Sequence, residues 1–308
     1  MMNKVLVLGG AGFIGSHLIK ELLSQYENIQ VISIGRGIVN INSARFKHFS
    51  CDINIKNLID IHLKDCNSSS FDFVFNCTGT GAVSAAHEYP LDDFKNTPLC
   101  VYEALEFIRI HSENSIFIQI SSAAVYGNSD KIPMSVNDVL KPLSVYGVNN
   151  EIAEKVISMY SDIYGIRSSI IRLFSVFGPG LNKQLLWDAC NKFETGNSIF
   201  FGSGMEIRDW IHISDAVKTL INAGLYTKKE NIPLTIFNGG SGIARNIKSV
   251  IYKLSEAYNY KGDICFCGEA KQGDPIGLLA EIDHNINSNE IDFDNSIYEY
   301  VKWFKALK

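Results

Sequence analysis

Lys4-Val5-Leu6-Val7-Leu8-Gly9-Gly10-Ala11-Gly12-Phe13-Ile14-Gly15-Ser16-His17-Leu18 decides how the rest of the chain is read. Lys4 to Leu8 is a short apolar run that stops at glycine, the pattern of a parallel strand buried on both faces. From Phe13 onward the apolar positions Phe13, Ile14, Leu18 and Leu22 recur at helical spacing. Between strand and helix lie Gly9, Gly12 and Gly15, spaced G-x-x-G-x-x-G. A pyrophosphate resting on a helix N-terminus must approach backbone amides with no Cβ in the way. Glycines alone are a weak sign, but the strand–turn–helix context is the one this chemistry needs. The stretch therefore predicts a phosphate-binding loop.

The same alternation continues downstream. Val31 to Ile34, Phe71 to Phe75, Ser115 to Ile120 and Ser168 to Leu173 read as further strands, with helical stretches at Leu99 to Ile110 and Tyr146 to Tyr160. Strands alternating with helices predict an α/β chain with a doubly wound parallel sheet, which binds ligands at the carboxyl ends of its strands. After about Phe174 the rhythm breaks at Gly178-Pro179-Gly180, and the tail is rich in Gly, Asn and Asp. We expect a dinucleotide-binding domain over 1–174, with later contributions near 207–240, and a smaller domain or lid over 175–308.

The end of the second strand discriminates between dinucleotides. An acid there would hold the ribose hydroxyls of NAD, whereas an arginine pairs a 2′-phosphate. Ile34-Gly35-Arg36-Gly37 has the arginine and no acid, which points to NADP(H), with NAD(H) as the alternative.

Composition narrows the classes. The 308 residues are 46% hydrophobic and 20% charged, with a formal net charge of -5, which argues against a nucleic-acid binder and its basic face. No apolar run approaches the roughly 20 residues that span a bilayer, and the first ten residues do not read as a secretory leader. The cysteines Cys51, Cys66, Cys77, Cys100, Cys190, Cys265 and Cys267 show no zinc or redox spacing and read as reduced core thiols. The histidines do not cluster, so no metal is expected. A cytoplasmic enzyme is the expectation.

Longer motifs then carry a resemblance. Gly9 to Leu18, Ser121-Ser122-Ala123-Ala124-Val125-Tyr126-Gly127, Pro142 with Tyr146-Gly147, and Arg172-Leu173-Phe174 with Gly178-Pro179-Gly180 are similar to the extended short-chain dehydrogenase/reductase family. So are Arg208-Asp209-Trp210-Ile211-His212, Asn238-Gly239-Gly240 and Gly273-Asp274. The resemblance runs in order along nearly the whole chain and is strongest to nucleotide-sugar epimerases, dehydratases and 4-keto reductases. It implies a Rossmann cofactor domain, a small C-terminal substrate domain and a nucleotide-sugar substrate. It also implies a homodimer built from two helices of each copy. Cofactor contacts are implied for Gly9, Gly12, Phe13, Ile14, Gly15, Arg36 and Tyr146, for Asp52 and Ile53 at the adenine, and for Asn96 in a structural bend near the active site.

In this family a Ser or Thr hydrogen-bonds the reacting oxygen, a Tyr is the acid/base, and a Lys four residues on lowers the tyrosine pKa from about 10. Ser122 and Tyr146 match the first two. Asn150 stands at the lysine position and brings no charge. Dehydratases carry an acidic pair after the Ser/Thr, where this chain has Ala123-Ala124. Arg208 resembles the arginine that grips the sugar-nucleotide diphosphate, a natural bidentate pairing, and Lys271 stands where a second phosphate-binding arginine often lies. The expectation is an NADPH-dependent reductase of the 4-keto group of a nucleotide-linked 6-deoxyhexose, of the dTDP-4-dehydro-6-deoxyglucose type, serving O-antigen or other surface polysaccharide. The alternatives are an NAD-dependent nucleotide-sugar 4-epimerase and, because of Asn150, a non-catalytic binding protein.

Overall fold

Val5, Leu6, Val7 and Leu8 are all sealed from solvent, as a central parallel strand requires when helices cover both faces of its sheet. The computed structural model describes residues 2–65, 70–129, 131–268, 275, 277–288 and 290–308. Along the chain its strands are β1 (Lys4–Leu8), β2 (Gln30–Gly35), β3 (Phe46–Ser50), β4 (Phe73–Asn76), β5 (Ile116–Ser122), β6 (Ser168–Leu173) and β7 (Ser175–Phe177). There follow β8 (Ile199–Phe200), β9 (Ile207–His212), β10 (Leu234–Gly239), β11 (Ala244–Asn246), β12 (Cys265–Phe266) and β13 (Gly277–Leu278). The helices are α1 (Phe13–Gln25), α2 (Ile55–Asp65), α3 (Val83–Glu88), α4 (Pro90–Phe94), α5 (Cys100–His111) and α6 (Val145–Tyr164). The later ones are α7 (Gln184–Thr195), α8 (Ile213–Glu230), α9 (Ile247–Tyr258) and α10 (Phe293–Ala306).

Seven strands form one parallel sheet in the order β10-β6-β5-β4-β1-β2-β3, the doubly wound α/β sheet expected. The order reverses between β1 and β4, so the loops after these two strands part and open a crevice at their carboxyl ends. One face buries Leu18 and Leu22 of α1 with Val217 and Leu220 of α8. The other buries Leu58 of α2, Leu105 and Ile108 of α5 and Ile157 of α6. A separate cluster joins α7, α9 and α10 through Phe193, Leu254, Tyr300 and Phe304. Phe13, in the first turn of α1, packs against the first cluster and this one alike.

Two strands extend the sheet beyond what the apolar runs announce. β3 pairs with β2 at the sheet's edge, and its sequence Phe46-Lys47-His48-Phe49-Ser50 carries polar residues because an edge strand meets water. β10 pairs with β6, so the rhythm resumes after the break near Phe174. Among the described cysteines Cys100 and Cys190 are buried, but Cys265 and Cys267 are exposed free thiols and not core residues as expected. They flank Phe266 on a short strand, where alternate side chains point to opposite sides, and Phe266 is the one that packs inward.

Candidate active site

The loop between β1 and α1 is a cradle that side chains would fill. Gly9 has φ +79°, and a Cβ there would fall 2.8 Å from the Cys77 carbonyl oxygen. A Cβ on Gly15 would fall 2.4 Å from the Gly9 carbonyl oxygen. Gly12 occupies the N-cap of α1 with no side-chain cap, so the amides of the first turn, around Phe13 and Ile14, face the crevice with the positive end of the helix dipole. These features fit the pyrophosphate of a dinucleotide. A nicotinamide dinucleotide held here by Gly9, Gly12 and Gly15 would supply hydride chemistry, and the chain would supply orientation and protons.

Beyond β2 the expected adenosine-side residues meet. Arg36 donates from Nη2 to Asn96 Oδ1 at 3.3 Å, and its Nε lies 4.0 Å from Asp52 Oδ1. Asn96 sits in a π turn over Lys95–Leu99 that contains Pro98, the bend implied by the resemblance. Its side chain faces Arg36 and the Asp92 carbonyl. The inward neighbour is Thr97, buried, with Oγ1 unpaired among the described residues. Ile53 packs beside the second core cluster.

At the carboxyl end of β5, Ser122 caps a 3-10 turn by accepting a bond from the Ala124 amide at 3.2 Å. α6 opens beside it, with Ser144 accepting from the Gly147 amide at 3.1 Å. Gly147 allows the approach, since a Cβ there would fall 2.6 Å from the Ala124 carbonyl oxygen. This sets the Tyr146 hydroxyl beside Ser122. Asn150, one turn on, donates from Nδ2 to the Tyr146 carbonyl at 2.8 Å.

Burial pushes the Tyr146 pKa above its ordinary value; the Ser122 hydroxyl opposes this, the Asp93 carboxylate raises it further, and the Asn150 side chain lowers it. Tyr146 is therefore a phenol at neutral pH. No lysine replaces the missing cation: among the described residues the charge acting on Tyr146 is the anion Asp93.

Arg208 lies on β9 directly opposite Arg245 of β11 in an antiparallel pair, which places two guanidinium groups on one face. The Arg245 guanidinium lies 4.0 Å over the Phe293 ring. Asp209 and Asp215, the first two acids after Arg208 in sequence, hold loops: Asp209 accepts from the amides of Ser241, Gly242 and Ala280, and Asp215 from those of Glu290 and Ile291. Past the Gly178 turn, Lys183 donates to the Thr80 carbonyl and Gln184 to the Gly81 carbonyl, both at 3.0 Å. Lys271, with Gly273 and Asp274, lies outside the described residues. Among the described residues no group of three or more His, Cys, Asp and Glu gathers as a metal site.

Residues 5–233 match the NAD-dependent epimerase/dehydratase family. The chain belongs to that family. A UDP-glucose 4-epimerase of Corynebacterium glutamicum is 25% identical over 294 residues, 90% of this chain and 87% of its own. An uncharacterised UDP-glucose epimerase of Bacillus subtilis, YtcB, is 29% identical over 299 residues, 91% of this chain and 89% of its own. Among solved structures, the UDP-glucuronic acid 4-epimerase of Bacillus cereus, in complex with UDP-glucuronic acid and NAD, superposes with a TM-score of 0.87 at 24% identity, covering 99% of this chain and 100% of that one. The last likeness shows the shared fold.

Within this epimerase/dehydratase chain, three site features escape a motif reading. Asp93 is fully buried and accepts from Thr80 Oγ1 at 2.5 Å and Asn149 Nδ2 at 2.7 Å. Arg245 pairs with Arg208 only through strand register, and Lys183 reaches Thr80 across a long stretch of chain. The one local hint was the doubled asparagine Asn149-Asn150 after Tyr146.

Proposed function

We propose that this chain is a nucleotide-sugar 4-epimerase that uses NAD. The observation that carries the reading is the Ser122–Tyr146 hydroxyl pair at the carboxyl end of the sheet, in a family whose similar members include UDP-glucose 4-epimerases. Ser122 orients the 4-oxygen of the sugar, and Tyr146 exchanges its proton while the hydride leaves and returns. Arg208, Arg245 and Lys271 hold the diphosphate. The cofactor lies over 1–174 with the part near 207–240, and the sugar nucleotide under the remainder of 175–308.

Two considerations turn the dinucleotide reading from NADP(H) to NAD. The family is named for NAD, and the Bacillus cereus structure contains it. Arg36, moreover, already faces the Asp52 carboxylate and the Asn96 oxygen, and Asp52 repels a second anion. A homodimer belongs to the same reading, supported by Tyr102 and Ile110 of α5 and Val148 and Ile163 of α6, all apolar and exposed. So does a cytoplasmic setting, which suits the free thiols.

The test is direct. Purified protein is incubated with UDP-glucose, UDP-galactose and their N-acetylated and uronic acid counterparts, and the 4-epimers are separated by chromatography. Interconversion with no net change in nicotinamide absorbance is expected. A second reading, 4-keto reduction, is favoured by the protonated state of Tyr146, because a ketone needs a proton donor. Stoichiometric NADPH oxidation by a dTDP-4-keto-6-deoxyhexose, without epimerisation, would replace the first reading with the second. Tight sugar-nucleotide binding with neither reaction would leave a binding protein.

A further inference from the structure

Asp93 lies in α4, a single helical turn, and is completely shielded from water. A buried carboxylate is costly unless cations or close donors compensate it. Its two oxygens receive one neutral donor each, Thr80 Oγ1 at 2.5 Å and Asn149 Nδ2 at 2.7 Å. Among the described residues no cation lies within ion-pair distance of it. Asn149 belongs to the turn of α6 that follows Tyr146, so the same helix carries the reacting hydroxyl and the amide that grips the anion.

We propose that Asp93 is a positioning residue that sets the charge of the Tyr146 hydroxyl, an anion built into the site where Asn150 leaves no cation. This rests on the reading of Tyr146 as the proton-transfer group. The other charged groups packed around Asp93 are turned to solvent or already paired. α3 brings His87 and Glu88, both exposed; the π turn brings Lys95, which pairs with Asp92 at 3.9 Å; α6 brings Glu151, which pairs with Lys155 at 2.7 Å. Glu154, a turn further on α6, is paired with Arg172. Lys183 stops at the far side of Thr80, on its carbonyl. Burial is the largest influence on Tyr146, and among these charged groups the one that adds to it is Asp93.

The consequence is directional. A negative charge beside a phenol disfavours its phenolate. Tyr146 therefore rests protonated, whereas the opening step of a 4-epimerisation, in which the hydride leaves and the 4-hydroxyl loses its proton, needs it as an acceptor. Removal of a proton from a sugar hydroxyl waits for higher pH or for positive charge elsewhere in the loaded site. Asp93→Asn keeps the shape and both hydrogen bonds, since Asn149 still donates to the amide oxygen and Thr80 accepts from its nitrogen.

Tyrosine side chains labelled with carbon-13 at the hydroxyl-bearing carbon report ionisation by NMR, and Tyr146→Phe identifies the Tyr146 signal. In the wild type that signal should titrate above the ordinary tyrosine value of about 10. In Asp93→Asn it should move down by about one pH unit, and in Asp93→Glu it should stay near wild type. In parallel, the alkaline rise of epimerisation of UDP-galactose should shift to lower pH by the same amount. A Tyr146 titration unchanged in Asp93→Asn, or one at or below the ordinary value in the wild type, overturns the proposal. If Asp93→Asn does not fold, Asp93→Ser carries the same two outcomes. The titration needs no substrate, so a chain inactive on every sugar nucleotide defeats the epimerase reading without touching the charge measurement.

Discussion

Tyr146 is the residue on which the proposed chemistry turns, and its surroundings hold it protonated until the site is loaded. Tyr146→Phe removes only the hydroxyl that Ser122 contacts. Turnover should fall by about 10²–10⁴-fold, the usual span for a positioned acid/base group, while NAD affinity measured by fluorescence titration stays within a few fold. Retention of most activity would move the proton transfer to another group. Arg36 gives a second residue-scale test. It is largely exposed and loosely paired with Asp52 at 4.0 Å, an arrangement worth about 0–1 kcal/mol. Arg36→Ala should therefore change NADH binding less than about fivefold, the ratio that 1 kcal/mol allows, and wild type should bind NADH more tightly than NADPH. A wild-type preference for NADPH that Arg36→Ala abolishes would restore the 2′-phosphate role. Ser122 and Tyr146 were singled out in the sequence by their match to the motifs of the resembled family, and they lie side by side in the fold. Asp93 was not, because its partners Thr80 and Asn149 come from separate elements, and no periodicity announces a meeting made only by tertiary packing.

At the scale of elements, one buried ion pair ties the sheet to α6, the helix that carries Tyr146. Arg172 on β6 donates from Nη2 to Glu154 of α6 at 2.8 Å, with both side chains almost wholly buried. Ser121, the neighbour of Ser122, donates to the same Glu154 at 2.5 Å, and Arg172 continues to the Tyr126 hydroxyl and the Val136 carbonyl. Glu154 lies two turns beyond Tyr146 on α6, so the network holds the ends of β5, β6 and α6 in one arrangement. Glu154→Ala leaves a buried guanidinium without its carboxylate and should destabilise the fold by about 3–5 kcal/mol, read by urea unfolding. The double variant Glu154→Leu with Arg172→Met should lose less than the single one, since no charge is then stranded. A loss below about 1 kcal/mol for Glu154→Ala would place the pair among surface bridges. Sequence reading found β6 because the run Ser168 to Leu173, with Ile170, Ile171 and Leu173, continues the series of strands between helices. The arginine within that run gave no warning that it is buried, since its burial depends on a carboxylate from another element.

Across the whole molecule, the crevice is closed where the glycine loop, the Gly178 turn and the start of α8 converge. His17 of α1 stacks edge-on against Phe13, with ring centroids 5.1 Å apart, and its Nδ1 lies 2.8 Å from the Phe13 carbonyl oxygen. His212 caps α8 by accepting from the Ser214 amide at 3.3 Å, and its ring meets Phe177 at 5.6 Å. Desolvation lowers the pKa of both, and the two rings repel each other's charge at His212. His62, wedged between Phe71 and Phe107 on the opposite side of the sheet, is lowered by the same cause. A histidine whose folded pKa lies below its unfolded value binds more protons unfolded, so its contribution to stability is full above about pH 6.5 and is lost as pH falls through the lowered folded value. Urea midpoints should therefore drop between pH 7 and pH 5. His212→Asn should flatten that dependence, at some cost at pH 7 for the altered cap. Because His17 and His212 face the junction and His62 does not, hydrogen exchange at pH 5 should rise first in the Gly178 turn and the first turns of α1 and α8. Uniform exchange across the sheet would mean that acid acts through the core and leaves the junction no special role.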